Sequence, residues 1–456
     1  MTCDDVWLIA YASQSGTASQ LAWQSADQLR EAGLPTHVVA LNKVDEAMLR
    51  RQRKILFIVS TFGEGEAPDN GNRILSRLTG ADLSHLQYGL LALGDRSYRF
   101  FCGFGHALQH ALHASGATQL FDLIEVDCGD PAALRHWQYY LGQISGQTHF
   151  HDWQPPKYET WTLQERICLN PESPGAAAFW LQLTTAETKT WRAGDIAEVG
   201  PCNSATRTAQ FLQVLGRDPD DPLADELRHR ELPAGSVDQL AVLADAELLQ
   251  RLPTLPHREY SIASIPESGS LDLLVRQVRL ENGEFGLGSG WLTHHAELHS
   301  SISLRIRSNP SFHPPIADVP LILIGNGTGM AGLRAHLLAR RQAGAHRNWL
   351  LFGERTLAND LFFAEDLRAL QESGFLEHLS LVFSRDAKPG EPRYVQDLLA
   401  AHAEQLRGWV AEGAAIFVCG SLQGMAQGVD QELVRLLGRE HLEVMLESGR
   451  YCRDVY

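Results

Sequence analysis

The chain has 456 residues, a length that suits two or three domains of ordinary size. Its formal net charge is −16, which argues against nucleic acid and anionic membranes as partners and favours a basic protein partner. Seven cysteines are scattered without a CxxC pair, which indicates reduced thiols rather than a disulfide framework or a zinc site. No apolar run reaches the roughly 18 residues of a membrane span, and Met1 to Asp5 lack the basic start of a signal peptide. We therefore expect a soluble cytoplasmic protein without membrane insertion.

Residues 1–145 alternate between apolar strands and amphipathic helices. Strands are predicted near Val6, Val38, Ile55, Gly89 and Leu123. The first helix carries its apolar side chains on one face and ends at Gly33; these side chains are Ala18, Leu21, Ala22, Ala26 and Leu29. This alternation predicts a doubly wound α/β domain, in which helices cover both faces of a parallel sheet.

The remainder of the chain shows three further patterns. Residues 146–160 are polar and aromatic and contain Pro155-Pro156, which is typical of a linker. Short alternating segments over 161–315 are typical of antiparallel strands in a barrel or sandwich, interrupted at about 218–256 by a short helical insertion. Strands and helices alternate again over 316–456, which predicts a second parallel α/β domain.

Three loops of the first domain follow predicted strands, at the sheet edge where doubly wound folds bind ligands. The first opens the first helix, where hydroxyls and backbone N–H groups can hold a phosphate, although alone it also fits an ordinary capped turn. Phe62 and Tyr98 lie on the other two loops and could sandwich a flat ring, with loop packing as the alternative. The candidate ligand-binding residues are Ser13, Gln14, Ser15, Gly16, Thr17, Thr61, Phe62, Gly63, Gly65, Leu93, Gly94, Asp95, Tyr98 and Phe101.

Motifs of the second half of the chain also suit a ligand that has a phosphate and a flat ring. Arg258-Glu259-Tyr260-Ser261 supplies a cation, an aromatic plate and a hydroxyl, although an ordinary strand can contain the same residues. Gly286 to Leu292 is rich in small residues that let the backbone approach an anion. Gly325 to Ala331 follows a strand and precedes a helix, but it lacks the spacing of the dinucleotide GxGxxG fingerprint.

The order of these motifs resembles the diflavin reductase family, the group of the sulfite reductase flavoproteins and the NADPH-cytochrome P450 reductases. The resemblance covers nearly the whole chain, from the three loops through RxYS and the glycine loop to the aromatic C-terminus, Tyr456. The chain departs from the family in the short segment between Ser145 and Arg258, where full-length relatives carry a larger helical connecting domain.

The resemblance implies a flavodoxin-like FMN domain, followed by a ferredoxin-NADP reductase-like module with an FAD-binding barrel and an NADPH-binding domain. In the first domain, Ser13 to Thr17 would hold the FMN phosphate, and Phe62 and Tyr98 would stack on the flavin ring. Arg99 departs from the acidic residue expected after that tyrosine. In the module, FAD would be held by Arg258, Tyr260, Ser261, Gly288, Ser289 and Gly290, and the NADPH pyrophosphate by Gly327, Thr328 and Gly329.

The resemblance also implies which nicotinamide cofactor is used and where hydride transfer occurs. Ser384, Arg385, Tyr394 and Gln396 match positions that bind the adenosine 2′-phosphate, and Arg393 lies beside another basic position. An arginine with hydroxyl donors suits a phosphate, so NADPH is preferred over NADH. The hydride-transfer residues would be Ser261, Cys419 and Asp454, with Tyr456 covering the FAD ring until nicotinamide displaces it.

The expected function is transfer of electrons from NADPH to FAD, then to FMN, and then singly to a haem or iron–sulfur protein, such as a sulfite reductase haemoprotein or a cytochrome. The alternatives are electron donation to a ferric siderophore or a membrane iron reductase, or a non-catalytic flavin-binding interaction module. Acidic Glu64, Glu66 and Asp69 near the FMN loops favour docking of a basic acceptor. We expect no metal site, since His106, His110 and His113 fit a polar helix face better than a ligand set. The sequence leaves the oligomeric state open.

Overall fold

The computed structural model describes residues 6–146, 153, 158–233, 238–255 and 257–456. The chain forms two compact units, the first made of Met1–Pro156 and Gly438–Arg453, and the second of Lys157–Leu437 and Asp454–Tyr456. Met1 to Asp5, most of the predicted linker, and residues 234–237 and 256 of the predicted insertion lie outside the described residues. Within the described ranges, no helix has both the length and the apolar character needed to cross a membrane.

The first unit contains a parallel sheet between helices, as predicted. The sheet order is β2-β1-β3-β4, and β5 and β6 both pair with β4. This is the flavodoxin-like order, with the fifth position divided between two short strands. Its elements are β1 (Trp7–Ala12), α1 (Thr17–Glu31), β2 (Thr36–Ala40), α2 (Glu46–Arg51), β3 (Lys54–Ser60), α3 (Ile74–Leu78), β4 (Gln87–Gly94), α4 (Gly103–Ala114), β5 (Thr118–Gln119), β6 (Ile124–Asp127) and α5 (Pro131–Ser145).

The apolar pattern explains how this sheet is covered. The central strand β3 is buried on both faces, which is the environment that its continuous apolar run requires. One face packs against α1, whose predicted apolar stripe from Ala18 to Leu29 is buried. The other face packs against α4 through Phe104, Leu108 and Leu112. The helices cover the faces of the sheet but not the carboxyl ends of its strands. The three candidate loops lie at those ends.

The second unit begins with an antiparallel barrel. The strand order is β10-β9-β12-β7-β8-β11, and an antiparallel bridge between Ile262 and Leu273 joins the two ends of this order. The strands are β7 (Glu159–Cys168), β8 (Ala178–Thr184), β9 (Ile196–Gly200), β10 (Arg258–Ser261), β11 (Leu271–Arg276) and β12 (Ser301–Arg307). Between β9 and β10 lie α6 (Ala205–Val214), α7 (Ala224–Leu227), α8 (Asp238–Ala241) and α9 (Asp245–Arg251), which share a small core of their own. The short α10 (Leu287–Gly290) precedes β12.

The second unit continues as a parallel α/β sheet in the order β15-β14-β13-β16. Its elements are β13 (Leu321–Asn326), α11 (Met330–Gln342), β14 (Asn348–Glu354), α12 (Leu357–Asp360), α13 (Ala364–Glu372), β15 (His378–Phe383), α14 (Val395–Ala401), α15 (Ala403–Ala411), β16 (Ala415–Gly420) and α16 (Gln427–Leu437). After α17 (Arg439–Glu447), which belongs to the first unit, comes the final strand β17 (Tyr451–Val455). Tyr456 exchanges backbone hydrogen bonds with Gly420 and Leu422, both at 3.0 Å, so the C-terminus lies at the carboxyl end of β16.

Candidate functional site

The loop after β1 forms a tight turn into α1. Gly16 adopts a left-handed conformation with φ 91°. The Ser13 hydroxyl accepts the backbone N–H groups of Gly16 at 2.9 Å and Ala18 at 3.2 Å. Ser13 is buried and stabilises the turn, whereas Ser15 and Thr17 are half-buried at the start of the helix. The loop therefore presents hydroxyl and backbone donors at a helix N-terminus, which fits a phosphate group.

The loop after β3 is closed by reciprocal backbone hydrogen bonds between Phe62 and Glu66, at 2.9 and 2.8 Å. Gly65, with φ 127°, is required here because a Cβ atom would lie 2.9 Å from Cβ of Phe100. The Thr61 hydroxyl is buried and has no hydrogen-bond partner among the described residues. A buried donor without a partner beside a glycine-rich loop fits a polar ligand such as the expected FMN.

The loop after β4 exposes two aromatic rings. Tyr98 is 50% and Phe100 is 53% exposed, and both line an open cavity of about 710 Å³ together with Glu64, Arg96, Ser97 and Arg99. Phe101 instead packs beneath the Arg96 guanidinium, 4.4 Å from its ring centroid. The sequence analysis named Phe101 as a candidate and did not name Phe100. The two phenylalanines are adjacent, so the sequence could have indicated both.

Asp69 is engaged in a hydrogen-bonded network inside the first unit. Its carboxylate accepts Nε of Arg453 at 3.0 Å and Nε2 of Gln14 at 3.2 Å. The Gln14 side chain also accepts the Asp69 backbone N–H at 3.1 Å. Hydrogen bonds of Gln14 therefore connect the loop after β1 with the loop after β3. Asp69 is 12% exposed and paired with Arg453, whereas Glu64 and Glu66 are exposed; a role of these acidic residues in docking a basic acceptor stays a prediction.

The histidine stripe of α4 has a carboxylate neighbour that the sequence did not reveal. Nε2 of His106 lies 2.9 Å from Glu125 on β6. A separate group, half-buried Asp95 and Asp127 with exposed Cys128, has ligand-type atoms within 4.8 Å of one another. Burial and the two neighbouring aspartates raise the pKa of the Cys128 thiol to about 12. We assign no ligand to either group.

In the second unit, the strand Arg258–Ser261 packs directly against the glycine-rich segment Gly286 to Leu292, which contains α10. A Cβ atom at Gly288 would lie 2.6 Å from Cγ of Arg258 and 2.7 Å from the Tyr260 hydroxyl. Only glycine allows this approach of backbone to the motif. The Ser289 hydroxyl accepts the backbone N–H of Val278 at 3.1 Å, so its side chain stabilises the loop. Cation, aromatic ring and closely packed loop backbone fit the expected FAD.

The predicted hydride-transfer residues meet in one place. The Ser261 hydroxyl donates to the Asp454 carboxylate at 2.6 Å, and the Cys419 thiol donates to it at 3.7 Å. Burial raises the pKa of Asp454 and raises that of Cys419 well above its usual value. The thiol therefore stays protonated. The Tyr456 hydroxyl hydrogen-bonds with Oγ1 of Thr328 at 3.3 Å, so the C-terminal ring lies beside the glycine loop.

The glycine loop after β13 lies tightly against the end of β16. Cβ atoms at Gly329 and Gly325 would lie 2.1 and 2.4 Å from the Cys419 carbonyl oxygen. Gly327 has a left-handed φ of 56°. The Asn326 side chain accepts the Ser421 backbone N–H at 3.0 Å. The loop thereby presents backbone at the start of α11, which fits an anionic pyrophosphate.

The residues expected at the adenosine 2′-phosphate lie at the carboxyl end of β15. The Arg393 guanidinium donates to the Ser384 carbonyl at 3.3 Å, which places this arginine on the same loop. Arg385 and Tyr394 are exposed, as a ligand contact requires. The Gln396 side-chain oxygen is buried without a hydrogen-bond partner in the part of the chain that the structure describes. The four predicted residues and Arg393 thus belong to one sheet edge.

Comparison with known proteins identifies two domain families. Residues 9–137 match the flavodoxin family, and residues 323–431 match the oxidoreductase NAD-binding domain. The chain is similar to proteins named sulfite reductase [NADPH] flavoprotein alpha-component. That of Vibrio cholerae is 28% identical over 98% of this chain and 87% of its own length, that of Photobacterium profundum 26% over 98% and 88%, and that of Neisseria meningitidis 27% over 98% and 88%.

Proposed function

The chain belongs to the diflavin reductase family, and we propose that its electron acceptor is a haemoprotein of the sulfite reductase type. It is an NADPH-dependent flavoprotein oxidoreductase that uses FMN and FAD and passes electrons to a redox partner. The observation that supports this acceptor is the match of 98% of the chain to flavoproteins named for sulfite reductase. When bound, NADPH supplies a hydride, and the two flavins turn this two-electron delivery into single-electron release.

Ser261, Cys419 and Asp454 are the proposed hydride-transfer residues. The Ser261 hydroxyl, fixed by its 2.6 Å hydrogen bond to Asp454, orients the reacting rings. When ionised, Asp454 would offset the positive charge that develops on a bound nicotinamide. Buried Cys419 packs beside the glycine loop and fills space next to the reacting ring. Tyr456, beside the glycine loop, would cover the FAD ring until nicotinamide replaces it.

The first unit is the proposed exit for electrons. The Thr61 hydroxyl and the donors of the Ser13 to Thr17 turn would hold FMN, and Phe62 and Tyr98 would contact its ring. Phe100, exposed beside Tyr98, adds a further aromatic surface at the same cavity. The flavodoxin-like, barrel and NADPH-binding domains over 1–145, 161–315 and 316–456 are our proposed functional division. We also propose a cytoplasmic location, which the free state of the six described cysteines supports.

Assays with defined acceptors test the proposed function. We expect NADPH-dependent reduction of ferricyanide and of a purified sulfite reductase haemoprotein, with co-purification of that haemoprotein under reducing conditions. Ferric siderophore and cytochrome c serve as competing acceptors. Higher salt should slow haemoprotein reduction more than ferricyanide reduction, because protein docking involves exposed charges such as Glu64 and Glu66. Flavin-loaded protein that reduces no acceptor at all would support the non-catalytic module.

A further inference from the structure

An ion pair lies over the glycine loop of the second unit, formed by two residues that the sequence did not single out. The Arg276 guanidinium, at the end of β11, donates to the Glu354 carboxylate, at the end of β14. A Cβ atom at Gly327 would lie 3.5 Å from Nη2 of Arg276 and 3.5 Å from Oε1 of Glu354. The pair therefore covers the open face of this glycine.

The pair lies where an extended dinucleotide has to pass. In the sheet, β14 lies between β13, which carries the glycine loop, and β15, which carries Ser384 and Arg385. The backbone N–H groups of Ser384 and Arg385 donate to the carbonyls of Glu354 and Arg355, both at 2.8 Å. A ligand that reaches from the glycine loop to Arg385 must cross the end of β14, where Glu354 lies.

Charge and burial make the Glu354 carboxylate depend on this arginine. The Glu354 side chain is only 5% exposed, and burial raises the pKa of its carboxyl although Arg276 opposes the shift. Guanidinium groups bind phosphate oxygens through paired N–H donors. A pyrophosphate at the glycine loop would thus bring a second anion to the Arg276 guanidinium, which is already paired with the buried Glu354 carboxylate.

We propose that Glu354 competes with the NADPH pyrophosphate for Arg276 and thereby lowers the affinity for the dinucleotide. The inference rests on the proposed function. Nη1 of Arg276 donates to the Ala176 carbonyl at 3.0 Å, which keeps the arginine at the loop while Nη2 exchanges carboxylate for phosphate. NADPH and NADH share the pyrophosphate, so Glu354 sets the affinity for both. Arg385, at the 2′-phosphate, sets the difference between them.

Calorimetric titration of flavin-loaded protein with NADP⁺, and separately with NAD⁺, tests this proposal without turnover. We expect Glu354→Gln to lower both dissociation constants by about fivefold or more, because the competing charge is removed. Arg276→Gln should raise both by about tenfold or more. The matched control is Glu377→Gln, which removes an exposed carboxylate paired with Arg347 at 3.3 Å and should leave both constants unchanged.

The same titrations identify failure. Unchanged or weaker binding in Glu354→Gln would show that the pair is a structural strut and would overturn the proposal, as would an effect on NADP⁺ alone. FAD content and unfolding temperature report whether each variant folds. If Arg276→Gln does not fold, the titrations of Glu354→Gln alone decide the proposal. Wild-type protein that binds neither dinucleotide would refute the proposed function itself.

Discussion

The hydroxyl of Ser261 donates to the Asp454 carboxylate across 2.6 Å, where Ser261 is buried and Asp454 is half-buried. We expect Asp454→Asn to slow FAD reduction by NADPH by about 100-fold, because an amide cannot offset developing positive charge. Burial raises the pKa of Asp454, so the wild-type rate should rise with pH through that elevated pKa as the carboxyl ionises. Stopped-flow absorbance should show this rise of the rate with pH in the wild type and in the control variant Asp318→Asn, which changes an exposed aspartate. The rise should be absent in Asp454→Asn. A normal pH profile in Asp454→Asn would remove Asp454 from the mechanism.

Replacing Phe62 and Tyr98 together by alanine should release FMN and leave FAD bound, since both rings lose their planar contact with the flavin. Flavin content after gel filtration measures the effect. Tyr139→Ala is a matched control because Tyr139, on α5, is also 50% exposed. Equal loss of both flavins would show that the two aromatic residues support folding instead.

Arg385→Ala should weaken NADP⁺ binding by about 1.5 to 3 kcal/mol, or roughly 10- to 150-fold, the range for a hydrogen bond to a charged group. Binding of NAD⁺, which lacks the 2′-phosphate, should be nearly unchanged. Titration of both nucleotides against the variant and against Arg341→Ala, an exposed arginine in α11, makes the comparison. Equal losses for the two nucleotides would make Arg385 a structural residue.

Tyr456→Ala should raise the use of NADH relative to NADPH, because nicotinamide no longer has to displace a ring from FAD. Substitution is a cleaner test than deletion, since the Tyr456 backbone is hydrogen-bonded to Gly420 and Leu422. The ratio of kcat/KM for the two nucleotides is the measurement. An unchanged ratio would argue against ring displacement.

A fragment that starts near Trp153 should bind FAD alone and oxidise NADPH with ferricyanide, because it retains RxYS, the glycine loop and Asp454. It should fail with cytochrome c, which needs the FMN-bearing unit as its docking surface. Steady-state assays with both oxidants compare the fragment with the whole chain. Rapid cytochrome c reduction by the fragment would show that FMN is not the obligatory exit.

Local pattern was sufficient to predict the parallel sheets, whereas the meeting of the distant motifs was predicted from the family resemblance. The run Ile55 to Val59 is fully buried, as an uninterrupted apolar strand between two helical layers must be. The stripe of α1 follows from the helical period alone. Ser261, Cys419 and Asp454 were brought together by resemblance, because no periodicity relates residues so far apart in the chain.

Contacts between distant residues were beyond local pattern. Asp69 and Arg453 look like independent surface charges in the sequence, yet they form an ion pair within one unit. Arg276 and Glu354 pair across two different sheets for the same reason. The choice between Phe100 and Phe101 depends on the loop before α4, where Cys102 takes a left-handed φ of 52°. Such turns at non-glycine residues have little sequence signal.

The first unit includes Gly438–Arg453, which is distant in sequence from the rest of that unit. This affects when the unit can fold during synthesis. A nascent chain can begin to fold its N-terminal sheet early in synthesis, since domains generally fold as they leave the ribosome. The network around Asp69, however, needs Arg453, which lies 384 residues further along the chain. Chains that stop before Gly438 would therefore lack this part of the first unit, which is complete only after Arg453 has been synthesised.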